Sequence, residues 1–289
     1  MPKDRKNIIG SSDAPVICGV SPFKTPYELY LEKIGAVPPE EANAAMERGK
    51  EMEQLVAQKY QSQFGVNLRR PKPRLAVSIK CPWRTAQVDR EEPSGRPVEL
   101  KTAFDMSEEW GEAETDMVPD GYAVQGQHQM LVTGAQLLYL FVLFIRPWQT
   151  RRYAIPWNDA LAKLIIEAEE EFRARVLERR PPEPDYKAEG TYRAMRWAFG
   201  VSEKEIVLPD ESVFLLQELE AQQKAGKDAE AGVQECKARL LAVMGDAGVG
   251  KLREWTVTRK IVKNRGYTKV VEPFEYLNLR VKRGAENGE

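Results

Sequence analysis

From Arg84 to Thr102 apolar and polar residues alternate with a period of two, the spacing of a half-buried strand. Ala86 and Val88 share one face, and Gln87 and Asp89 share the other. Glu92, Pro93, Ser94 and Gly95 are turn residues, and in the strand that follows Val98 and Leu100 oppose Glu99 and Lys101. The alternation predicts a hairpin that brings Asp89, Glu99 and Lys101 together at one end of a small sheet, on its non-core side.

The flanking patterns supply a scaffold. A short helix is expected over Ala14 to Val20, capped by Ser12 or Asp13, and a second starts at Thr25-Pro26 and stops at Gly35. Over residues 40–64, helical spacing places Met46, Gly49, Glu53, Val56, Tyr60 and Phe64 on one stripe. Arg74 to Ile79 reads as a strand, and Phe104 to Val118 as irregular chain. A helix from Tyr122 to Thr133 carries Tyr122, Gln125 and Gln129 on one face, with Gly126 allowing close packing. Leu137 to Ile145 is a continuous apolar run, which predicts a central strand covered on both faces, and Arg151 to Ile155 returns beside it. Leu161, Leu164, Ile165, Ala168, Phe172 and Val176 then form the stripe of a helix expected to cover the sheet.

Pro181 to Asp185 marks a boundary, dividing the chain into residues 1–185 and an accessory region, 186–289. In the latter, Tyr192 to Phe199 reads as a short helix, and Pro209 to Met244 as a helical hairpin interrupted near Gly226 and Gly232. A strand is expected from Trp255 to Val262. Gly245 to Leu252 imitates a phosphate-binding loop, but Leu252 lacks the hydroxyl that such a loop needs, and a helix rather than a strand precedes it. It is read as a helix stop and turn.

Composition narrows the function. With 43 Lys+Arg against 44 Asp+Glu in 289 residues the net charge is −1, so any surface for nucleic acid must be local. Such a surface is offered by the last forty residues, where Arg259, Lys260, Lys263, Arg265 and Lys269 lie near Trp255 and Tyr267; an edge hairpin kept soluble by its lysines is the alternative. Cys18, Cys81 and Cys236 are too few and too scattered for a disulfide framework or a thiolate metal site, and read as buried or inert thiols of a reducing cytosol. The longest apolar run is too short to span a bilayer, so a cytoplasmic protein is expected. His128, the single histidine, reads as a polar or packing residue.

Chemistry enters through the carboxylates. Asp89 and Glu99 offer hard oxygens suited to Mg²⁺, and Lys101 can steer a water; a solvated hairpin is the alternative reading of the same three residues. Glu53 sits on an otherwise apolar stripe, and burying it unpaired costs several kcal/mol, so it needs a metal, a cation or a route to solvent.

Taken together, Gly10-Ser11-Ser12-Asp13, Arg48-Gly49-Lys50-Glu51-Met52-Glu53, Asp89, Glu99-Leu100-Lys101 and Tyr122-Ala123-Val124-Gln125-Gly126-Gln127 resemble, in order and spacing, the YqaJ-type viral recombinases. These are relatives of phage lambda exonuclease within the PD-(D/E)xK nuclease superfamily, and the resemblance covers roughly residues 5–180. It implies an α/β fold, a PD-(D/E)xK restriction-endonuclease-like core with a central mixed sheet flanked by helices, here followed by a C-terminal helical arm and β-hairpin. It also implies Mg²⁺-dependent cleavage of duplex DNA ends from the 5′ side, with Mn²⁺ as a substitute ion. A RecT- or beta-like single-strand annealing protein is the implied partner, and a ring trimer the implied assembly. By position, Asp89, Glu99, the Leu100 carbonyl and Glu53 would hold metal, Lys101 would position the attacking water, and Gln125 would orient that water or a ligand. Arg5 and Ser12 fall where relatives hold a 5′-phosphate. Arg90 departs from the pattern, since relatives carry glycine after the aspartate. A RecB- or Cas-type nuclease of other polarity and a catalytically inactive DNA-end-binding scaffold are the alternatives.

Overall fold

The computed structural model describes residues 7–38, 43–199 and 205–258. Arg5 and the basic residues from Arg259 onward lie outside them. The chain divides into two compact units, residues 1–200 and 201–289.

The first unit begins with α1 (Ala14–Ile17) and α2 (Pro26–Ile34). Thr25 and Glu28 form a reciprocal capping box at the start of α2, and Gly35 ends it in the left-handed region at φ 77°. Helix α3 (Ala44–Phe64) follows from an Asn43 cap. Only its C-terminal half meets the core: Val56, Ala57 and Tyr60 are buried, whereas Met46 is exposed and Glu53 lies at the margin. The apolar stripe expected along the whole helix is thus half as long as its spacing suggests.

The sheet departs from the expected hairpin. β1 (Leu75–Val77) pairs antiparallel with β2 (Thr85–Gln87) in a two-stranded ribbon of its own. After Val88 the chain changes partner, and β3 (Arg90–Glu91) pairs with β4 (Pro97–Ala103) over two residues only. The break falls where the Asp89 side chain accepts the Leu100 backbone N–H at 2.9 Å, filling with a carboxylate the place of a ladder carbonyl. β4 runs parallel to β5 (Leu137–Phe144), which pairs antiparallel with β6 (Gln149–Pro156), so the main sheet is mixed, in the order β3-β4-β5-β6. β5 is the central strand foreseen from its unbroken apolar run.

Helices cover both faces. On one, Val98 and Leu100 of β4 and Phe141 and Leu143 of β5 pack against Val56, Ala57 and Tyr60. On the other lies α4 (Asp120–Thr133), where a Cβ on Gly126 would meet Ile155 at 3.5 Å and Leu138 at 3.6 Å, ordinary contact distances, so the expected glycine-dependent close packing is not required there. Glu99 is therefore covered by α4 rather than lying on an open, non-core face. The segment before α4 is irregular, as expected, and buries Trp110 against Tyr122, Phe144 and Tyr153.

α5 (Asp159–Glu178) packs on α1, α2 and α4. These helices, rather than the sheet, are its main packing partners, and of its expected stripe Leu164 is exposed. α6 (Glu189–Ala198), placed in the accessory region by the proline-rich boundary, packs instead on α2, where Ala194 joins the Tyr27 and Tyr30 cluster and Thr191 meets Thr25 at 3.2 Å.

The second unit contains one continuous helix, α7 (Ser212–Met244), and a hairpin of β7 (Val249–Leu252) and β8 (Trp255–Thr258). Gly226 and Gly232 do not interrupt α7: each costs about 1 kcal/mol relative to alanine, and the surrounding Ala, Gln, Lys and Glu outweigh that. Gly245 stops the helix with φ at 56°, as expected, but the second half of the sequence that imitates a phosphate loop is strand β7 rather than a turn. Among the described residues, no helix is long and apolar enough to cross a membrane.

Candidate active site

Two strands and one helix converge on Glu99. Alternation along β4 puts Val98 and Leu100 under α3 and sends Glu99 and Lys101 toward α4, which answers with amides one turn apart. Lys101 Nζ is 2.7 Å from Glu99 Oε1, and Gln125 Nε2 donates to the same oxygen at 2.7 Å. Gln129 Nε2 donates to Glu99 Oε2 at 2.7 Å and to the Gln87 carbonyl at 3.2 Å. Glu99 is 5% exposed, yet each oxygen has at least one donor, which makes its burial tolerable.

Asp89 reaches the site from the β2–β3 break. Burial pushes its carboxyl up to about 7, and the neighbouring Glu99 charge adds to this; Lys101 and the Leu100 N–H only partly oppose it. For Lys101, burial works to remove the proton, but the charges of Glu99 and Asp89 more than reverse this and hold the group above its ordinary range. It stays an ammonium at neutral pH. The bare pocket thus holds more negative charge than its lysine balances, a condition that a bound cation relieves.

The sequence-derived residues divide into three groups. Asp89, Glu99, Lys101 and Gln125 come together, with Leu100 between the two acidic and basic residues on β4. Glu53 is near enough for its charge to raise Asp89 further, but its Oε1 is bound by Arg90 Nη1, and Arg70 stands 3.7 Å away. Among the described residues, no three acidic, histidine or cysteine side chains stand together as a metal-holding group. What is present is a pair of carboxylates, Asp89 held by the Leu100 N–H and Glu99 beside it, whose hard oxygens are of the type that suits a divalent cation. Ser12 is the third case. It is exposed and lines a separate cavity of about 340 Å³ with Gly10, Lys33, Arg74 and Gln87.

Sequence reasoning missed two contributions. Gln129 holds Glu99 from the helix face it shares with Gln125, a spacing that was visible; its Oε1 is buried without a hydrogen-bond partner among the described residues. Beneath the site, Glu169 of α5 receives Arg84 Nε at 2.6 Å and contacts His128 Nδ1 at 2.6 Å, while His128 Nε2 meets the Thr85 carbonyl at 2.8 Å. All three side chains are buried. They tie α4 and α5 to the start of β2, four residues before Asp89.

The profile of the YqaJ-like viral recombinase domain matches residues 2–136. The uncharacterized protein YqaJ of Bacillus subtilis is 30% identical over 274 residues, which span 92% of this chain and 84% of that protein. The chain belongs to the YqaJ-like viral recombinase family. Among solved structures, an alkaline exonuclease from Laribacter hongkongensis aligns with a TM-score of 0.48 at 20% identity, covering 61% of this chain and 90% of its own. A phage-related exonuclease from Haemophilus somnus aligns with a TM-score of 0.45 at 13% identity, covering 60% of this chain and 96% of its own.

Proposed function

We propose that this chain is a divalent-metal-dependent deoxyribonuclease that digests linear duplex DNA from its 5′ ends during phage-type recombination. The observation that supports it most is the burial of Asp89 beside Glu99: burial first, and the Glu99 charge second, push the Asp89 carboxyl up to about 7 even with Lys101 alongside. A structural carboxylate pair would be better served by a second fixed cation, whereas a site built for an exchangeable ion stays under-neutralised without it. Asp89, Glu99 and the Leu100 carbonyl would hold that ion, with Mg²⁺ as the physiological choice and Mn²⁺ as a substitute. When bound, it supplies Lewis acidity and neutralises charge at the phosphodiester undergoing hydrolysis.

The chain's own residues carry the rest. Lys101, held as an ammonium by the carboxylates beside it, orients the attacking water and stabilises charge on the phosphate rather than removing a proton. Gln125 and Gln129 fix both oxygens of Glu99, so the carboxylate presents a constant geometry to its ligands. Neither a serine nor a cysteine nucleophile is required. Ser12, in the cavity beside β2, would receive the 5′-phosphate; Arg5, its partner by resemblance, lies outside the described residues. Digestion of one strand from its 5′ end leaves a single-stranded 3′ tail, the substrate for a RecT- or beta-like annealing protein.

Linear duplex labelled separately at each 5′ and each 3′ end tests the polarity. We expect early loss of the 5′ label, faster from 5′-phosphorylated than from 5′-hydroxyl ends. Early loss of the 3′ label, or internal cuts, would replace this reading with a RecB- or Cas-type nuclease.

A further inference from the structure

Helix α7 is 33 residues long and, among the described residues, buries none of its own. Most of the stability of a protein helix comes from packing an apolar face, and the apolar side chains of α7 lie open: Leu215 is 70% exposed, Val233 53% and Leu240 48%. They fall on a seam. From Leu215 to Leu240 steps of four and three residues alternate without a break, through Leu219, Gln222, Val233 and Cys236. Gly226 and Ala229 fill the two places midway and are small enough for a close approach. Lys224, Lys227 and Glu235 lie on the outer face. A narrow stripe of period 3.5 fits a second helix wound alongside, whereas a globular surface calls for the broader stripe of period 3.6.

Gln222, the one amide on the seam, indicates which helix that is. In parallel register each seam residue faces its own copy, so two Gln222 amides meet and can hydrogen-bond each other, while Leu219 meets Leu219 and Val233 meets Val233. A wholly apolar partner helix would leave the amide buried without a partner. Antiparallel pairing would do the same, because it sets Gln222 against Val233. It would gain Glu218 beside Arg239, but an exposed ion pair returns less than an unpaired buried amide costs, and Arg239 already binds Glu235 of its own helix. Across the parallel seam no like charges oppose: Glu218 comes beside Gln223 of the second copy, and Ala225 beside Glu230. We propose that α7 forms a parallel two-stranded coiled coil with α7 of a second copy of this chain. The contact uses no residue assigned to the metal.

Cross-linking of the full-length protein provides the test. Cys236 lies on the seam and is exposed, so oxidation with diamide should join two chains through Cys236, the bond being mapped by mass spectrometry after proteolysis. Leu219→Cys should add a 219–219 link and no 219–236 link. On one helix those two positions stand about 25 Å apart, so a 219–236 link can only join two chains, and only antiparallel ones. Lys224→Cys on the outer face, made together with Cys236→Ala, should give no link. Sedimentation equilibrium should return the mass of two chains for wild type and of one for Leu219→Asp combined with Leu240→Asp. Near-ultraviolet circular dichroism checks that this variant keeps its first unit folded, and the cross-links decide alone if it does not. A 219–236 link, or linking through Lys224→Cys as fast as through Cys236, overturns the proposal. So does a wild-type mass of one chain, the result expected if residues 259–289 cover the helix instead, or a mass that the two aspartates leave unchanged.

Discussion

Lys101 stands 2.7 Å from Glu99 on the same strand, and its assigned work is to hold a water and a developing charge rather than to bind DNA. Lys101→Ala is therefore expected to lower cleavage by at least about 10²-fold, the scale for loss of a charge-stabilising group in a preorganised site. Duplex binding, read by fluorescence anisotropy, should persist; strong residual cleavage by the variant would remove the lysine from the mechanism. Asp89 gives a second expectation. Its carboxyl rises from 3.8 toward about 7 on folding, so the folded chain binds that proton more tightly than the unfolded chain. The stabilisation is full below 3.8, declines as pH rises, and is gone above about 7. Urea unfolding in EDTA should therefore show wild type losing stability across this window, and Asp89→Asn losing less. Parallel pH profiles for the two proteins would show that Asp89 does not titrate there.

At the scale of elements, the site depends on how α4 and α5 are seated. His128, Glu169 and Arg84 form a buried ionic link between both helices and the start of β2. Glu169→Ala leaves Arg84 buried without its carboxylate, and a loss of about 3–5 kcal/mol in unfolding free energy is expected. Chemical denaturation measures it, and a loss below about 1 kcal/mol would mean the link is not structural. This link was hidden in the sequence because its partners lie 85 and 41 residues apart. Glu169 sits within an apolar helical stripe, one turn before Phe172, where alternation alone gives no reason to look for an arginine. By contrast, the E-x-K strand was legible, since its alternation is enforced by a real core on one side, Val98 and Leu100 against α3. The other face was misjudged: charged residues on a strand predict solvent, and here they meet the amides of α4 instead. The two-sheet split at Asp89 was not legible either, because it depends on a side chain replacing a backbone acceptor.

For the whole molecule, the division falls at Gly200 and Val201, beyond the proline run that the sequence suggests as a boundary. Prolines mark where a helix must stop, but not where packing ends, and α6 returns to α2 after them. A chain ending at Gly200 should unfold in one cooperative transition with a midpoint close to that of the same transition in the full chain, followed by near-ultraviolet circular dichroism. A shift of more than about 4 °C, larger than a 1 kcal/mol effect produces in a domain of about 200 residues, would show that residues 201–289 are needed to stabilise the first unit.

We propose that Asp89, Glu99 and Lys101 form a metal-dependent phosphodiesterase site, so cleavage should need both the ion and the Asp89 carboxylate. Release of acid-soluble nucleotides from uniformly labelled linear duplex tests it most directly, comparing wild type with Mg²⁺, wild type with EDTA, and Asp89→Asn with Mg²⁺. Release is expected in the first case alone. Release that survives EDTA, or that Asp89→Asn sustains at the wild-type rate, would contradict it.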